Sequence, residues 1–373
     1  MKEIIVTKAE AGQRFDRFLG KYMPGATSGF LHKMLRKKNI KLNGNKAEGN
    51  EKMKEGDAIQ IYFSEETLRK FTAGAGDLKQ KKKSVTLTQE EIMLRKQVQL
   101  LYASEDTLIF HKPAGMLTQK AKQSDDSLND YLLDYCRSNG IIKEGICTGF
   151  RPSVANRLDR NTSGIVLCGT TTKGLQILAR LLREREMEKY YLCIVQGVIH
   201  TDKKIKGYLQ KDHNKNTVTL LKHPAEGAEA VETWYQVLDT SAAATLLKVR
   251  LITGKSHQIR AHLASEGHPV VGDYKYGYRQ QNDKFKQKTG ISYQMLHSYE
   301  IKLPKAMPEE WKQCSGLHVI DPPPEPFCQA MKYFGLTLHK GQEKREQRKG
   351  KRKEYNGNMD VQRTKGFRPR RND

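Results

Sequence analysis

The sequence predicts an α+β protein: a small α+β module at the N-terminus, then a larger domain on a mixed, largely antiparallel sheet. Two observations carry this. Near the start, apolar residues recur at helical spacing in two short stretches that are followed by alternating, strand-like sequence. From about residue 99, strand-like segments outnumber helical ones and do not alternate regularly with them, which argues against a doubly wound parallel sheet. The length, 373 residues, fits two domains or one large domain with attachments.

Taken in order, "QRFDRFLGKY" at 13–22 places Phe15, Phe18, Leu19 and Tyr22 on one helical face. "SGFLHKMLRKK" at 28–38 repeats the pattern with Phe30, Leu31, Met34 and Leu35, and Ser28 is the expected N-cap. Its other face carries His32, Lys33, Arg36, Lys37 and Lys38. "IKLNG" reaches an Asn43-Gly44 hairpin turn, and "DAIQIYF" at 57–63 closes the unit. Residues 64–98 are polar, contain "GAG" and "KQKKK", and read as a linker with one helix near 89–97. "LLYASEDTLIFHKPAGML" reads as strand, turn, strand and Pro-Gly loop. "GIVLCGT", "KYYLCIVQG", "VETWYQVLDT" and "ATLLKVRLIT" are strand-like. "TKGLQILARLLRE" at 172–184 is helical, with Leu175, Leu178, Ala179 and Leu182 on one face. Residues 339–373 nearly lack aliphatics and are expected to be disordered after a short helix. The resulting division is 1–63, a linker over 64–98, a main domain over 99–325, and a basic, mostly disordered tail over 326–373.

Lys plus Arg number 66 against 42 for Asp plus Glu, a formal net charge of +24. Such an excess points to a polyanionic partner, with nucleic acid ahead of a membrane surface because no long basic amphipathic helix stands out. No apolar run approaches the length of a membrane span, and the start of the chain lacks a signal-peptide core, so a cytoplasmic protein is expected. The six cysteines (136, 147, 168, 193, 314, 328) form no C-x-x-C pair and read as reduced thiols.

Several motifs fail as sites. "TGKS" at 253–256 ends like a phosphate-binding loop, but that loop's first glycine would fall at Val249. His257 and His262 lack a third ligand at metal-like spacing, and no G-x-S-x-G precedes a helix. Neither a metal nor a cofactor is expected. What remains is "VANRLDRNTSGIVL" at 154–167, where Asp159 stands between Arg157 and Arg160 before a small-residue turn, Thr162-Ser163-Gly164. On local sequence alone Asp159 reads as a surface salt bridge with either arginine.

Two resemblances change that reading. "RFDRFL" at 14–19, "SGFLHKMLRKKNIKLNG" at 28–44 and "EGDAIQIYF" at 55–63 resemble the alpha-L RNA-binding domain of a ribosomal small-subunit protein and bacterial tyrosyl-tRNA synthetases. That likeness implies RNA contacts from Arg14, Lys33, Arg36 and Lys37. Over about residues 99–305 the chain resembles an RluA-type pseudouridine synthase. The signature stands as Asn156-Arg157-Leu158-Asp159, then Thr162-Ser163-Gly164-Ile165. Lys189-x-Tyr191 opens a strand ending at Gly197, and Thr253 opens a stretch running through His257, Arg260 and His262 to Gly267-His268-Pro269 and Gly272-Asp273. "HKPAGM" at 111–116 and "LHSYEIKLP" at 296–304 complete the match. Asn156 stands where the family has His, and Lys255 where it has Arg.

The resemblance implies a catalytic domain that isomerises uridine in RNA, most directly in large-subunit ribosomal RNA. The alternatives are a tRNA-directed synthase or a non-catalytic ribosome-assembly factor. It implies Asp159, Tyr191 and Arg260 as catalytic residues. Asp159 acts as a nucleophile or as a base toward a sugar proton. Arg260 opposes the cost of burying that charge, its guanidinium being able to grip a carboxylate bidentately. Tyr191 stacks on the uracil and relays a proton. Arg157 fills the gap left by a flipped base, and Thr162, Ser163 and Gly164 let backbone approach the nucleotide. The expected partner is RNA, ribosomal RNA or a ribosome precursor particle, and the chain is expected to be a monomer.

Overall fold

The computed structural model describes residues 1–72, 87–142, 150–212 and 217–338. The centre of the expected linker, Cys147 and the basic tail lie outside them. The first part comprises β1 (Lys2–Ile5), α1 (Phe15–Tyr22), α2 (Ser28–Arg36), β2 (Ile40–Leu42), β3 (Asn45–Lys46), β4 (Ala58–Ile61) and α3 (Glu65–Thr72). The second begins with α4 (Gln89–Gln97), β5 (Gln99–Ala103), β6 (Thr107–Lys112), α5 (Leu128–Ser138), β7 (Ser153–Val154), β8 (Ser163–Gly169) and α6 (Thr172–Arg183). It continues through β9 (Glu188–Gln196), β10 (Lys203–Asp212), β11 (Thr217–Leu221), β12 (Glu229–Thr240) and β13 (Ala244–Leu251). It closes with α7 (Gln258–Ser265), α8 (Arg279–Thr289), β14 (Leu296–Lys302), β15 (His318–Ile320) and α9 (Glu325–Phe334).

The N-terminal part has its own sheet, ordered β1-β4-β2-β3, and its own core. The stripe read from sequence builds that core: Phe15, Phe18, Leu19 and Tyr22 of α1 are all buried against Leu31, Met34 and Leu35 of α2. Phe30 is half-buried and packs on Phe71 of α3, with ring centroids 4.6 Å apart. The cap of α2 falls one residue earlier than expected: the Thr27 side chain, not that of Ser28, accepts from the Phe30 N–H. Asn43 and Gly44 both take positive φ, 50° and 74°, the conformation a tight hairpin turn needs.

The main sheet runs β11-β10-β12-β13-β9-β14-β8-β6-β5, with β15 beside β14 and β7 beside β8. Its pairings are antiparallel except β14 with β8. β14 therefore joins two half-sheets, and its contact with β8 is short: His297 opposite Ser163 and Ser298 opposite Gly164. Strand alternation sorts side chains onto two covered faces. Phe110, Val166, Tyr191, Cys193, Leu247 and Val249 face α5 and α7. Ile165, Leu167, Leu192 and Ile194 face the other way, toward α6, α8 and α9. Cover on both faces explains why "SGIVLCG" of β8 is continuously buried.

Two boundaries and one helix face differ from those read in sequence. α4 belongs with the main sheet: Arg95 grips Asp126 bidentately at 2.6 and 2.8 Å and reaches Asp134 on α5 at 2.8 Å. α6 turns Leu178 and Leu181 inward, while Leu175 and Leu182 are only half-buried and Ala179 is exposed. α9 crosses the division placed at 325/326, because Phe327, Ala330 and Met331 bury against Phe285 of α8 and the sheet. The described cysteines 136, 168, 193, 314 and 328 are free thiols.

Candidate active site

Asp159 lies in the loop between β7 and β8, and the backbone on both sides of it is tied to the loop after β6. Thr118 Oγ1 accepts from the Leu158 N–H at 3.1 Å and donates to the Leu158 carbonyl at 2.9 Å. The Arg160 carbonyl accepts from Gly115 N–H at 2.9 Å and from Lys112 Nζ at 3.0 Å. Lys112 is fully buried and donates also to the carbonyls of Pro113 and Met116, at 2.9 and 2.8 Å. Burial drives its pKa down to about 7, against the pull of Asp159. Three carbonyls need three donors, which only the ammonium form supplies. The "HKPAGM" stretch thus holds the acid's loop from behind.

The cation beside Asp159 is neither of its sequence neighbours. Arg157 and Arg160 are exposed. Arg260 of α7, 101 residues away, donates from Nη1 to Asp159 Oδ2 at 2.8 Å. Its bidentate grip is on a different acid from the one expected: Nε and Nη2 bond Asp273 at 2.7 and 2.8 Å. Burial opposes the Arg260 charge, but Asp273 and then Asp159 outweigh it and raise its pKa. Asp273 is fully buried and also accepts from the Lys275 and Tyr276 amides at 2.9 and 3.3 Å. The Arg260–Asp273 pair is thus a fixed strut that offers one guanidinium nitrogen to Asp159. The Asp159 side chain keeps 25% of its exposure, against 8% for Arg260.

Tyr191 is buried on the face of β9 that packs against α7. Burial raises its hydroxyl to about 12; a hydrogen bond with Ser298 opposes this and the Asp159 charge adds to it. The phenol is therefore neutral near pH 7. Two residues earlier on the same face, Lys189 brings Nζ to 3.4 Å from where a Cβ on Gly254 would sit. Burial, then Arg185, lowers its pKa.

The side chains of the Thr162-Ser163-Gly164 turn face protein, so any approach to a nucleotide would be made by its backbone. Thr162 Oγ1 accepts from Gln294 at 3.2 Å, and Ser163 Oγ bonds His297 Nδ1 at 2.9 Å. Gly164 has φ 114°, and a Cβ there would lie 2.2 Å from the Ser298 carbonyl oxygen. Behind the turn, His297 Nε2 meets the Asp321 carbonyl at 2.8 Å, and His111 Nδ1 meets the Asp321 carboxylate at 2.6 Å. Asn156, the departure from the family pattern, also turns inward: its side chain accepts from Leu167 N–H at 2.7 Å and donates to the Ile165 carbonyl at 3.4 Å. It pairs with β8 as a neighbouring strand's backbone does.

On the N-terminal part, Lys33, Arg36 and Lys37 are exposed at the end of α2, and Arg14 is exposed too, its guanidinium paired with Asp16 at 2.7 Å. Sequence reasoning passed over Asp273, His257 and Tyr276. Asp273 lies in a quoted motif, 13 residues after Arg260, but spacing alone does not show which base a lone acid meets.

A model of the RNA pseudouridylate synthase family matches residues 106–265. The chain is 30% identical over 311 residues to an uncharacterized RNA pseudouridine synthase of Mycoplasma pneumoniae, covering 81% of this chain and 91% of that one. It is 28% identical over 309 residues to ribosomal large subunit pseudouridine synthase C of Escherichia coli K12, covering 81% of this chain and 88% of that one. The solved structure of human RNA pseudouridylate synthase domain containing 4 shares the fold, with a TM-score of 0.52 and 18% identity over 71% of this chain and 98% of that one. The family match spans the loop of Asp159, the strand of Tyr191 and the helix of Arg260, and the chain belongs to the RluA-type RNA pseudouridine synthases, isomerases that act on RNA.

Proposed function

We propose that this chain isomerises uridine in large-subunit ribosomal RNA, with Asp159 as the reacting acid, Arg260 as its counter-ion and Tyr191 as the base-stacking group. The observation that carries the chemistry is a partly open carboxylate held by one nitrogen of an arginine whose other nitrogens are locked on buried Asp273. Similarity to ribosomal large subunit pseudouridine synthase C of Escherichia coli supports the ribosomal target.

In the net reaction the N1–C1′ bond breaks and a C5–C1′ bond forms. The hydrogen on carbon 5 leaves to solvent, and N1 acquires one. An ionised carboxylate kept from bulk water assists at the ribose or the base. Tyr191, neutral and buried, offers a flat apolar surface to the detached uracil. With its hydroxyl near 12 it carries the C5 proton only in a concerted relay, giving up its own hydrogen as it accepts. The target base leaves its stack, and exposed Arg157 stands beside the acid to fill the gap. Lys189 answers an RNA phosphate, while Lys33, Arg36 and Lys37 add contacts at a distance. The N-terminal part serves as an alpha-L RNA-binding domain, and the enzyme works as a monomer in the cytoplasm.

The test is tritium release from RNA carrying uridine labelled at carbon 5, using ribosomal RNA and tRNA in parallel. Wild type should release tritium from large-subunit RNA, and Asp159→Asn should not while still binding it. Release from tRNA alone would reassign the target. Equal release by both proteins would mean that another group does the chemistry.

A further inference from the structure

Asp159 Oδ2 faces two groups, and only one has a part in the reaction described so far. Arg260 Nη1 lies 2.8 Å away, and His257 Nε2 lies 3.9 Å from the same oxygen. Oδ1 has no hydrogen-bond donor among the described residues. The two oxygens of one carboxylate are thus placed in different surroundings.

The His257 ring is held in an unusual way. Its backbone is left-handed, φ 54°, at the residue that enters α7, a conformation found mainly in Gly, Asn and Asp. Its Nδ1 lies 2.8 Å from Tyr276 Oη, and the two rings meet edge to face at 5.6 Å. Tyr276 Oη already accepts the Val218 N–H at 2.9 Å. Among the described residues, His257 Nδ1 is the one acceptor within reach of the phenol hydrogen. A neutral imidazole that accepts at Nδ1 carries its proton on Nε2, the nitrogen that faces Asp159 Oδ2. Burial favours the neutral ring; Asp159 and Asp273 work against it, Arg260 and Lys275 with it. The same Tyr276 ring lies under the Arg260 guanidinium, 5.1 Å from centroid to Cζ. One tyrosine therefore orders both groups that face Oδ2.

We propose that His257 and Tyr276 are positioning residues that fix the rotation of the Asp159 carboxylate, turning Oδ2 toward Arg260 and His257 and presenting Oδ1 to the nucleotide as the reacting oxygen. This rests on Asp159 being the reacting acid. A carboxylate pivots readily about its terminal bond, and a single donor leaves that pivot open. A second N–H directed at the same oxygen closes it. The 3.9 Å gap is longer than a hydrogen bond and shortens when a nucleotide fills the pocket, as contacts to reacting groups do on substrate binding. The oxygen without donors keeps its lone pairs for the reaction.

The experiment measures the single-turnover rate of tritium release at saturating enzyme, together with the dissociation constant for the same RNA. His257→Ala should lower the rate by about tenfold to a hundredfold and leave RNA affinity and the thermal midpoint unchanged. His257→Gln puts an amide N–H near the place of Nε2 and should restore most of the rate. Tyr276→Phe should slow the wild type, yet slow His257→Ala no further, because the two residues act as one unit. A wild-type rate for His257→Ala, a glutamine no better than alanine, or a loss confined to affinity each overturns the proposal. Asp159→Asn is assayed alongside. If it is inactive while His257→Ala runs at full rate, only the positioning role falls; if it is active, the reacting acid and the positioning role fall together.

Discussion

At the scale of single residues, Arg260 divides its guanidinium between two acids, and that division cannot be copied by lysine. An ammonium is a point charge without the planar fork that spans both Asp273 oxygens and still reaches Asp159. Arg260→Lys is therefore expected to lower the single-turnover rate by about a hundredfold with little change in RNA affinity, as read by tritium release and filter binding. An unchanged rate would mean that charge alone suffices. The neighbourhood of Asp159 and Arg260 was legible because each stands in a short motif that the family resemblance singles out, and the fold brings the two to 2.8 Å. Asp273, His257 and Tyr276 were not singled out, since their roles depend on contacts made only after α7, β9 and the segment before α8 have packed. The resemblance named Arg260 as the partner of Asp159 against the pull of its neighbours. Adjacency in sequence suggested a pair, whereas the fold points Arg157 and Arg160 to solvent and brings the partner from 101 residues away.

At the scale of elements, the crossing of β8 and β14 decides what the Thr-Ser-Gly turn is for. The Ser298 carbonyl occupies the space a side chain at 164 would need, and φ 114° adds strain for any residue but glycine. Gly164→Ala is expected to cost about 3 kcal/mol of stability and to slow turnover as β14 shifts away. Urea unfolding followed by circular dichroism measures the first; a midpoint within error of wild type would refute it. Ser298 also lies opposite Tyr191, so a shift there moves Tyr191, the proposed stacking group, as well. Sequence showed that a turn was present but not that it is packed against a strand 134 residues later. Helix α1 was read correctly because its stripe is wide and aromatic. α6 was read with its face rotated, because leucines occupy both its buried and its half-buried sides.

At the scale of the whole molecule, two buried histidines tie stability to pH. Burial pulls His297 and His262 down to about 4 from an ordinary 6.5. The unfolded chain therefore binds more protons than the folded one between those values, and stability falls as pH drops from 6.5 toward 4. Each group contributes up to about 3 kcal/mol to that loss. Urea midpoints at pH 7, 5.5 and 4.5 should decline steadily, and His297→Gln with His262→Gln should flatten the slope; an unchanged slope would place the acid lability elsewhere. The order of the strands has a consequence for synthesis on the ribosome. β8 carries the Asp159 loop in one half-sheet, Tyr191 and Arg260 belong with the other, and β14 is the strand between them. A nascent chain that has not yet delivered residue 302 leaves the edge of β9 and the start of β8 without their β14 partner, and the elements carrying Asp159, Tyr191 and Arg260 are not yet joined. Loop closure over that distance is slow, so activity in refolding should recover with the last phase, after most secondary structure has formed. On this reasoning, activity is expected to appear only with the insertion of a single late strand.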